Sequence, residues 1–194
     1  MDTIYKSDTK RVFLTFDDGP SPVTSKILDI LKQENVKATF FILGSNVDSR
    51  KDVVKRMYEE GHYLANHGYS HTYSKIYSSP QSVLDEYNEC NDKVKNAIEV
   101  PDYNSHLFRF PGGLAGGKYA EIKKEAKELL LQNNIVNVDW NALTGDAETN
   151  NLSLEFEMTR LTETMGSKNS LVILMHDAAA KSVTADALPQ IIAK

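Results

Sequence analysis

Five short stretches of the chain hold residues that can do acid–base or metal chemistry. Thr15-Phe16-Asp17-Asp18-Gly19-Pro20 sets two adjacent carboxylates against a turn. Consecutive strand residues face opposite sides, so Asp17 and Asp18 divide the work: one can bind a metal while the other holds a proton. Asp-Gly-Pro taken alone is also ordinary turn chemistry. His67-Gly68-Tyr69-Ser70-His71 places two imidazoles four residues apart. On a helical turn that spacing puts both on one face, where with a carboxylate they suit zinc or another first-row metal. Two unrelated surface histidines would give the same short pattern. Arg109 in Phe108-Arg109-Phe110-Pro111-Gly112-Gly113, the pair Asp139-Trp140 and the pair His176-Asp177 complete the set.

Each of these residues closes an apolar run that reads as a strand. The runs are 12–16, 39–43, 63–65, 107–110, 135–138 and 171–175. Between them lie stretches of helical periodicity. Ile27, Leu28, Ile30 and Leu31 follow Thr24 as an N-cap, and Val53, Val54, Met57 and Tyr58 precede a stop at Gly61. Pro80 opens a helix behind Ser79, residues 121–131 form another, and Leu154, Met158, Leu161 and Met165 outline the next. A last helical segment runs over 185–192, with Pro189 near its start. Six strands interleaved with helices predict a parallel sheet, either doubly wound or closed into a barrel. Neither G-x-G-x-x-G nor G-x-x-x-x-G-K is present, which disfavours the nucleotide-binding versions. The reactive side chains all sit at strand C-terminal ends and come from five strands. In a β/α barrel that end carries the active site, so the pattern points to an enzyme that uses a metal.

Composition narrows the field further. At 194 residues, 41% hydrophobic and 25% charged, the chain is sized for one globular domain with a core that needs no staples. A net charge of −5 without a basic block argues against nucleic acid and against an anionic membrane surface. The longest wholly apolar run, 171–175, is far below the roughly 20 residues of a membrane span. The N-terminus has no signal-peptide core, and a single cysteine, Cys90, excludes an internal disulfide. Cys90 reads as a packing residue, and His62 and His106 as structural or surface histidines. Gly116-Gly117 and 141–151 read as groove-side loops, with Asp146 and Glu148 as a solvated acidic patch. Tyr69, Tyr73 and Tyr77 fit sugar stacking and loop packing equally well.

Taken in order, these residues resemble the NodB-like polysaccharide deacetylases of carbohydrate esterase family four. The five motifs of that family run from Thr15 to His176. T-F-D-D-G is complete, and the resemblance implies Asp17 as catalytic base and Asp18 as metal ligand. The second motif implies His67 and His71 as the remaining ligands; Gly68 stands where a Ser or Thr hydroxyl usually steadies the loop. The third implies that Arg109 orients the base and that the backbone N–H of Gly112, a position often aromatic, helps hold the oxyanion. The fourth is half present, with Val136 in place of its first Asp. It implies that Asp139 tunes the acid histidine and that Trp140 walls the groove. The fifth, Leu174-Met175-His176, implies His176 as general acid, with Leu174 lining the substrate.

The fold implied is α/β, a distorted, incomplete TIM-like (β/α) barrel. Six strands and 194 residues fall short of the roughly 250 typical of the full barrel, so the expectation is one catalytic domain, 1–194, cut short at both ends. The implied activity is metal-dependent hydrolysis of N-acetyl groups on a β-linked aminosugar polymer, peptidoglycan N-acetylglucosamine first. Chitooligosaccharide and acetylxylan are the alternative substrates. A non-catalytic carbohydrate-binding relative and a phosphoester-cleaving barrel hydrolase are the other classes. The implied cofactor is a divalent metal, zinc before cobalt, nickel or manganese. The implied partner is the polysaccharide, peptidoglycan or chitin-like, with the chain a monomer. The implied place is extracellular or wall-associated, its targeting segment lying outside this chain.

Overall fold

The computed structural model describes residues 2–194. Along the chain run α1 (Asp2–Tyr5), β1 (Arg11–Asp17), α2 (Pro22–Gln33), β2 (Thr39–Ile42), α3 (Gly44–Val47), a 3-10 turn (Asp48–Arg50), α4 (Lys51–Glu59), β3 (Tyr63–Asn66), α5 (Tyr73–Ile76) and α6 (Pro80–Ile98). Then follow β4 (Leu107–Phe108), α7 (Ala120–Gln132), β5 (Val136–Asn137), β6 (Ala142–Leu143), α8 (Leu154–Met165), β7 (Ser170–His176) and α9 (Ser182–Ile192). Parallel strands followed by helices give the α/β, incomplete TIM-like barrel class that the sequence implies. The described residues hold seven strands rather than six. The added one, β6, is two residues long inside a segment read as loop, too short to leave a periodic signal.

Two compact units make up the chain, one from residues up to Thr39 with Trp140–Lys194, the other from Phe40–Asp139. In the first, β1 pairs with β7 in register from Arg11↔Ser170 to Asp17↔His176, and β6 pairs on the far side of β7. β7 is buried along six of its seven residues, which explains its unbroken apolar run. The helix after β1 is capped by Ser21 rather than Thr24. Ser21 Oγ accepts the Val23 N–H, and Thr24 reaches back to the Ser21 N–H as the other half of a capping box. α9 starts at Ser182, so Pro189 lies inside it. At the N-terminal ends of β1 and β7, Val12, Leu14, Leu171 and Ile173 help line an apolar cavity of about 240 Å³, remote from the polar strand ends.

In the second unit the strand order is β5-β4-β3-β2. Its core gathers Tyr77, Val83, Tyr87, Phe108, Phe110, Ala126 and Leu130 between α6, α7 and the strands. α6 begins as the sequence predicts, with Ser79 Oγ accepting the Ser82 N–H and Pro80 in the first turn. Gly61, at φ 80°, follows α4 in the left-handed region open to glycine. Cys90 is fully buried, its thiol directed at the Ile42 carbonyl (3.3 Å), and His62 packs edge-on against Phe40. No helix among the described residues is long and apolar enough to cross a membrane.

Candidate active site

The strand register of the first unit brings Asp17 and His176 side by side as the last residues of β1 and β7. Partners in a parallel pair project to the same face of a sheet. Asp17 is buried, and Asp18 follows in the left-handed region at φ 75°, a strained conformation that turns its carboxylate out of the strand alternation. Beneath this turn sits Asp177. Its Oδ2 accepts the Thr24 hydroxyl (2.6 Å) and its carbonyl accepts the Ser21 hydroxyl (2.5 Å). A Cβ on Gly19 would lie 2.0 Å from that carboxylate, so only glycine fits there. Burial, with the charges of Asp18 and Asp17, pushes Asp177 up to about 7. Leu174 is buried in β7 and Trp140 is half-buried just before β6.

The carboxylate that serves His176 is Asp146, which corrects two expectations. His176 Nδ1 lies 2.8 Å from Asp146 Oδ1, and the His176 backbone N–H donates to Asp146 Oδ2 at 2.7 Å. Asp146 is 2% exposed, not part of a solvated patch. Only its neighbour Glu148 faces solvent, where it pairs with Arg160. Burial works against a charged imidazole, but the hydrogen bond and charge of Asp146, then the charges of Asp17 and Asp18, lift His176 to about 9. Asp139, the residue expected in this role, instead accepts the Leu114 N–H (3.1 Å) on Oδ2, while its carbonyl accepts from Arg109 Nη2 (3.0 Å). The half-matched Asp139-Trp140 motif drew the assignment seven residues too early.

In the second unit the two imidazoles follow β3 on a loop, not on a helical turn. Gly68 (φ 83°) and His71 (φ 53°) both take left-handed backbone, which bends the loop so that the rings stand 5.4 Å apart between centroids. The hydroxyl missing at Gly68 is replaced by two other anchors. Asn66 Oδ1 accepts the Gly68 N–H (2.9 Å) while its amide donates to the Tyr87 carbonyl (2.9 Å). Glu86 of α6, almost fully buried, accepts the Tyr69 and Ser70 N–H groups (2.7 and 2.6 Å) and the Ser70 hydroxyl (2.6 Å). Glu86 is inconspicuous in the sequence, because its signal is only one acidic residue on the inner face of a long helix.

His67 is buried with Nδ1 2.7 Å from the Arg109 carbonyl, which makes Nδ1 the protonated nitrogen and Nε2 the lone-pair donor. A backbone carbonyl behind a ring nitrogen is the usual support of a metal-binding histidine, so this pair fits a first-row cation. Arg109 is fully buried, with its guanidinium over the Phe41 ring (4.0 Å) and Nε donating to the Val138 carbonyl (2.9 Å). Gly112 (φ 75°) is exposed, and a Cβ on it would come within 2.5 Å of the Tyr73 hydroxyl. Tyr73 therefore fills the space an aromatic residue at 112 would need. It is 40% exposed and its ring stands 5.6 Å from His71. Tyr77 is buried instead, donating to the Pro111 carbonyl (2.7 Å), so its role is packing.

Residues 5–132 match the family model for polysaccharide deacetylases. A peptidoglycan-N-acetylglucosamine deacetylase of Bacillus cereus is 32% identical over 181 residues, covering 92% of this chain and 63% of that protein. One of Listeria monocytogenes, PgdA, is 35% identical over 169 residues, covering 87% of this chain and 32% of its own length. The chain thus spans less than two thirds of the curated relatives it matches. Among solved structures, a Streptococcus mutans CE4 esterase superposes with a TM-score of 0.89 at 34% identity, covering 99% of this chain and 85% of that one. A family match over most of the chain, joined to a likeness of fold along nearly all of it, places this chain in the polysaccharide deacetylase family.

Proposed function

We propose that the chain removes N-acetyl groups from a β-linked aminosugar polymer, with peptidoglycan N-acetylglucosamine as the preferred substrate. The observation that carries this reading is the buried acid–base pair at the β1 and β7 ends. There His176, held protonated by Asp146, stands beside Asp17. The names of the matched relatives favour the peptidoglycan amide. In this reading all 194 residues serve one catalytic domain, a monomer acting at or outside the cell wall.

Asp18, His67 and His71 are the donors for a divalent metal, zinc in the first instance; one carboxylate and two imidazoles suit that ion. When bound, the ion supplies Lewis acidity toward the acetyl oxygen and acidifies a water. Asp17, oriented by Arg109, takes the proton of the water as its oxygen bonds to the acetyl carbon. The Gly112 N–H donates to the oxygen on which negative charge develops. His176 gives its proton to the amide nitrogen as the C–N bond breaks, which releases acetate and a free amine. Trp140, Leu174 and Tyr73 line the sugar.

Acetate release is the test, measured on peptidoglycan fragments, chitin oligomers and acetylated xylan with the protein as purified, chelated and reloaded with zinc. Release greatest on peptidoglycan and restored by zinc is the expected result. Glycan binding without acetate release in the zinc-loaded protein refutes the reading.

A further inference from the structure

Packing accounts for the ring of Tyr77 but not for its hydroxyl. The ring is buried against Phe110 and Tyr119, with the Lys123 ammonium 5.0 Å from its centroid. A phenylalanine would fill the same space, yet the O–H donates to the Pro111 carbonyl at 2.7 Å. That carbonyl belongs to the same peptide unit as the Gly112 N–H. The unit is planar and trans, so the two groups point opposite ways and fixing one fixes the other.

Residues 110–113 form a β-turn closed by the Gly113 N–H on the Phe110 carbonyl (2.7 Å). Pro111 holds its second place at the negative φ of proline, and Gly112 holds the third at φ 75°. That sequence of signs is a type II turn. A type I turn keeps the same closing bond but has the Pro111–Gly112 peptide turned over, which would carry the Gly112 N–H to the opposite face. Glycine at 112 permits either form, so the closing bond alone does not choose between them. The Tyr77 hydroxyl does choose, because it meets the Pro111 carbonyl in one of them. The end of the turn is held separately: Lys123 of α7 donates to the Gly113 carbonyl (2.6 Å) and Asp139 accepts the Leu114 N–H. The Gly112 N–H donates to no other group among the described residues and lies on an exposed residue, open to an outside acceptor. Burial pushes the Tyr77 phenol well up, so it stays a donor across the working pH range.

We propose that Tyr77 is a positioning residue of the oxyanion site: its hydroxyl, acting through the Pro111 carbonyl, holds the peptide in the orientation that presents the Gly112 N–H to the developing charge. The inference rests on the deacetylase reading for its catalytic meaning.

The experiment compares the full zinc-loaded wild type with Tyr77→Phe. Acetate release from an N-acetylglucosamine oligomer gives kcat and KM, and metal analysis gives zinc content. NMR of the substrate-free protein gives the NOE between the Pro111 Hα and the Gly112 amide proton, strong in a type II turn and weak in a type I turn. Tyr77→Phe should lower kcat by about tenfold, the worth of one hydrogen bond, short of the 10²–10³ that loss of an oxyanion donor costs. KM and zinc content should stay within about twofold, and the NOE should be strong in wild type and weaker in the variant. Should Tyr77→Phe not fold, the wild-type NOE still bears on the question, since a weak one overturns the inference. An unchanged kcat in folded Tyr77→Phe, or a lower kcat with an unchanged NOE, overturns it too. Wild type that releases no acetate overturns the deacetylase reading instead, and the NOE comparison then still decides whether Tyr77 holds the peptide.

Discussion

Replacing Asp146 by Asn tests the acid directly. The substitution keeps the volume and removes the charge, and it forces an amide NH2 toward one of the two His176 donors that Asp146 now accepts at 2.8 and 2.7 Å. In the wild type that carboxylate overcomes burial and helps lift His176 to about 9. Without it, His176 should fall back toward its ordinary value near 6.5. At pH 8 the protonated fraction would then drop from about nine tenths to about 3%, a loss of about 30-fold in kcat/KM, or ~2 kcal/mol, before any effect of misorientation. The assay is acetate release across pH 5 to 10. Asp146→Asn should recover much of its activity near pH 6, where the imidazole is charged again, and its alkaline limb should sit about two units below wild type. An unmoved limb, or a uniform loss at every pH, refutes the assignment. Asp139→Asn, which disturbs the Leu114 N–H contact, should leave the limb in place.

Other expectations follow from the same contacts. His176 has a folded pKa above its unfolded one, so it adds stability that is full below pH 6.5 and is lost as pH rises through 9; denaturant melts should show a loss of up to about 3 kcal/mol that is absent in His176→Gln. Glu86→Ala strands the Tyr69 and Ser70 N–H groups and should cost about 2–4 kcal/mol by thermal melt, with lower zinc occupancy by metal analysis. Tyr73→Ala should raise KM about tenfold with kcat little changed, and equal losses in both parameters would remove Tyr73 from the sugar-binding surface. Cys90, fully buried with its thiol pushed well up by burial, should resist iodoacetamide in the native protein and react at once in denaturant.

Most of the fold was legible because its signals are local. Ser79-Pro80 marks the α6 start by capping chemistry, and the run 171–175 marks a strand covered on both faces. Asp17, Asp18, His67, His71 and His176 stood out because rare residue types recur at strand ends. What stayed hidden depends on tertiary placement. Asp146 reads like any loop carboxylate until its burial and its two bonds to His176 are known. Glu86 and Glu157 read as the polar faces of helices, although one supports a loop and the other lies against Thr184. The four-residue spacing of His67 and His71 suggested a helix because spacing cannot distinguish a helical turn from a loop bent by two left-handed residues. Thr24 reads as the cap because it stands nearest the apolar stripe; Ser21 holds that place because the capping box reaches three residues further back.

The clamp of Glu86 on the histidine loop also bears on kinetics. In the proposed site an ion would leave by losing Asp18, His67 and His71 one at a time, and two of those losses need a ring to swing away. Here the backbone between the two rings is held by a buried carboxylate and by Asn66. Exchange of the bound ion should therefore be slow even against a competitor of higher affinity. Which metal the protein carries would then record what was available when the loop closed during folding, more than the order of equilibrium affinities.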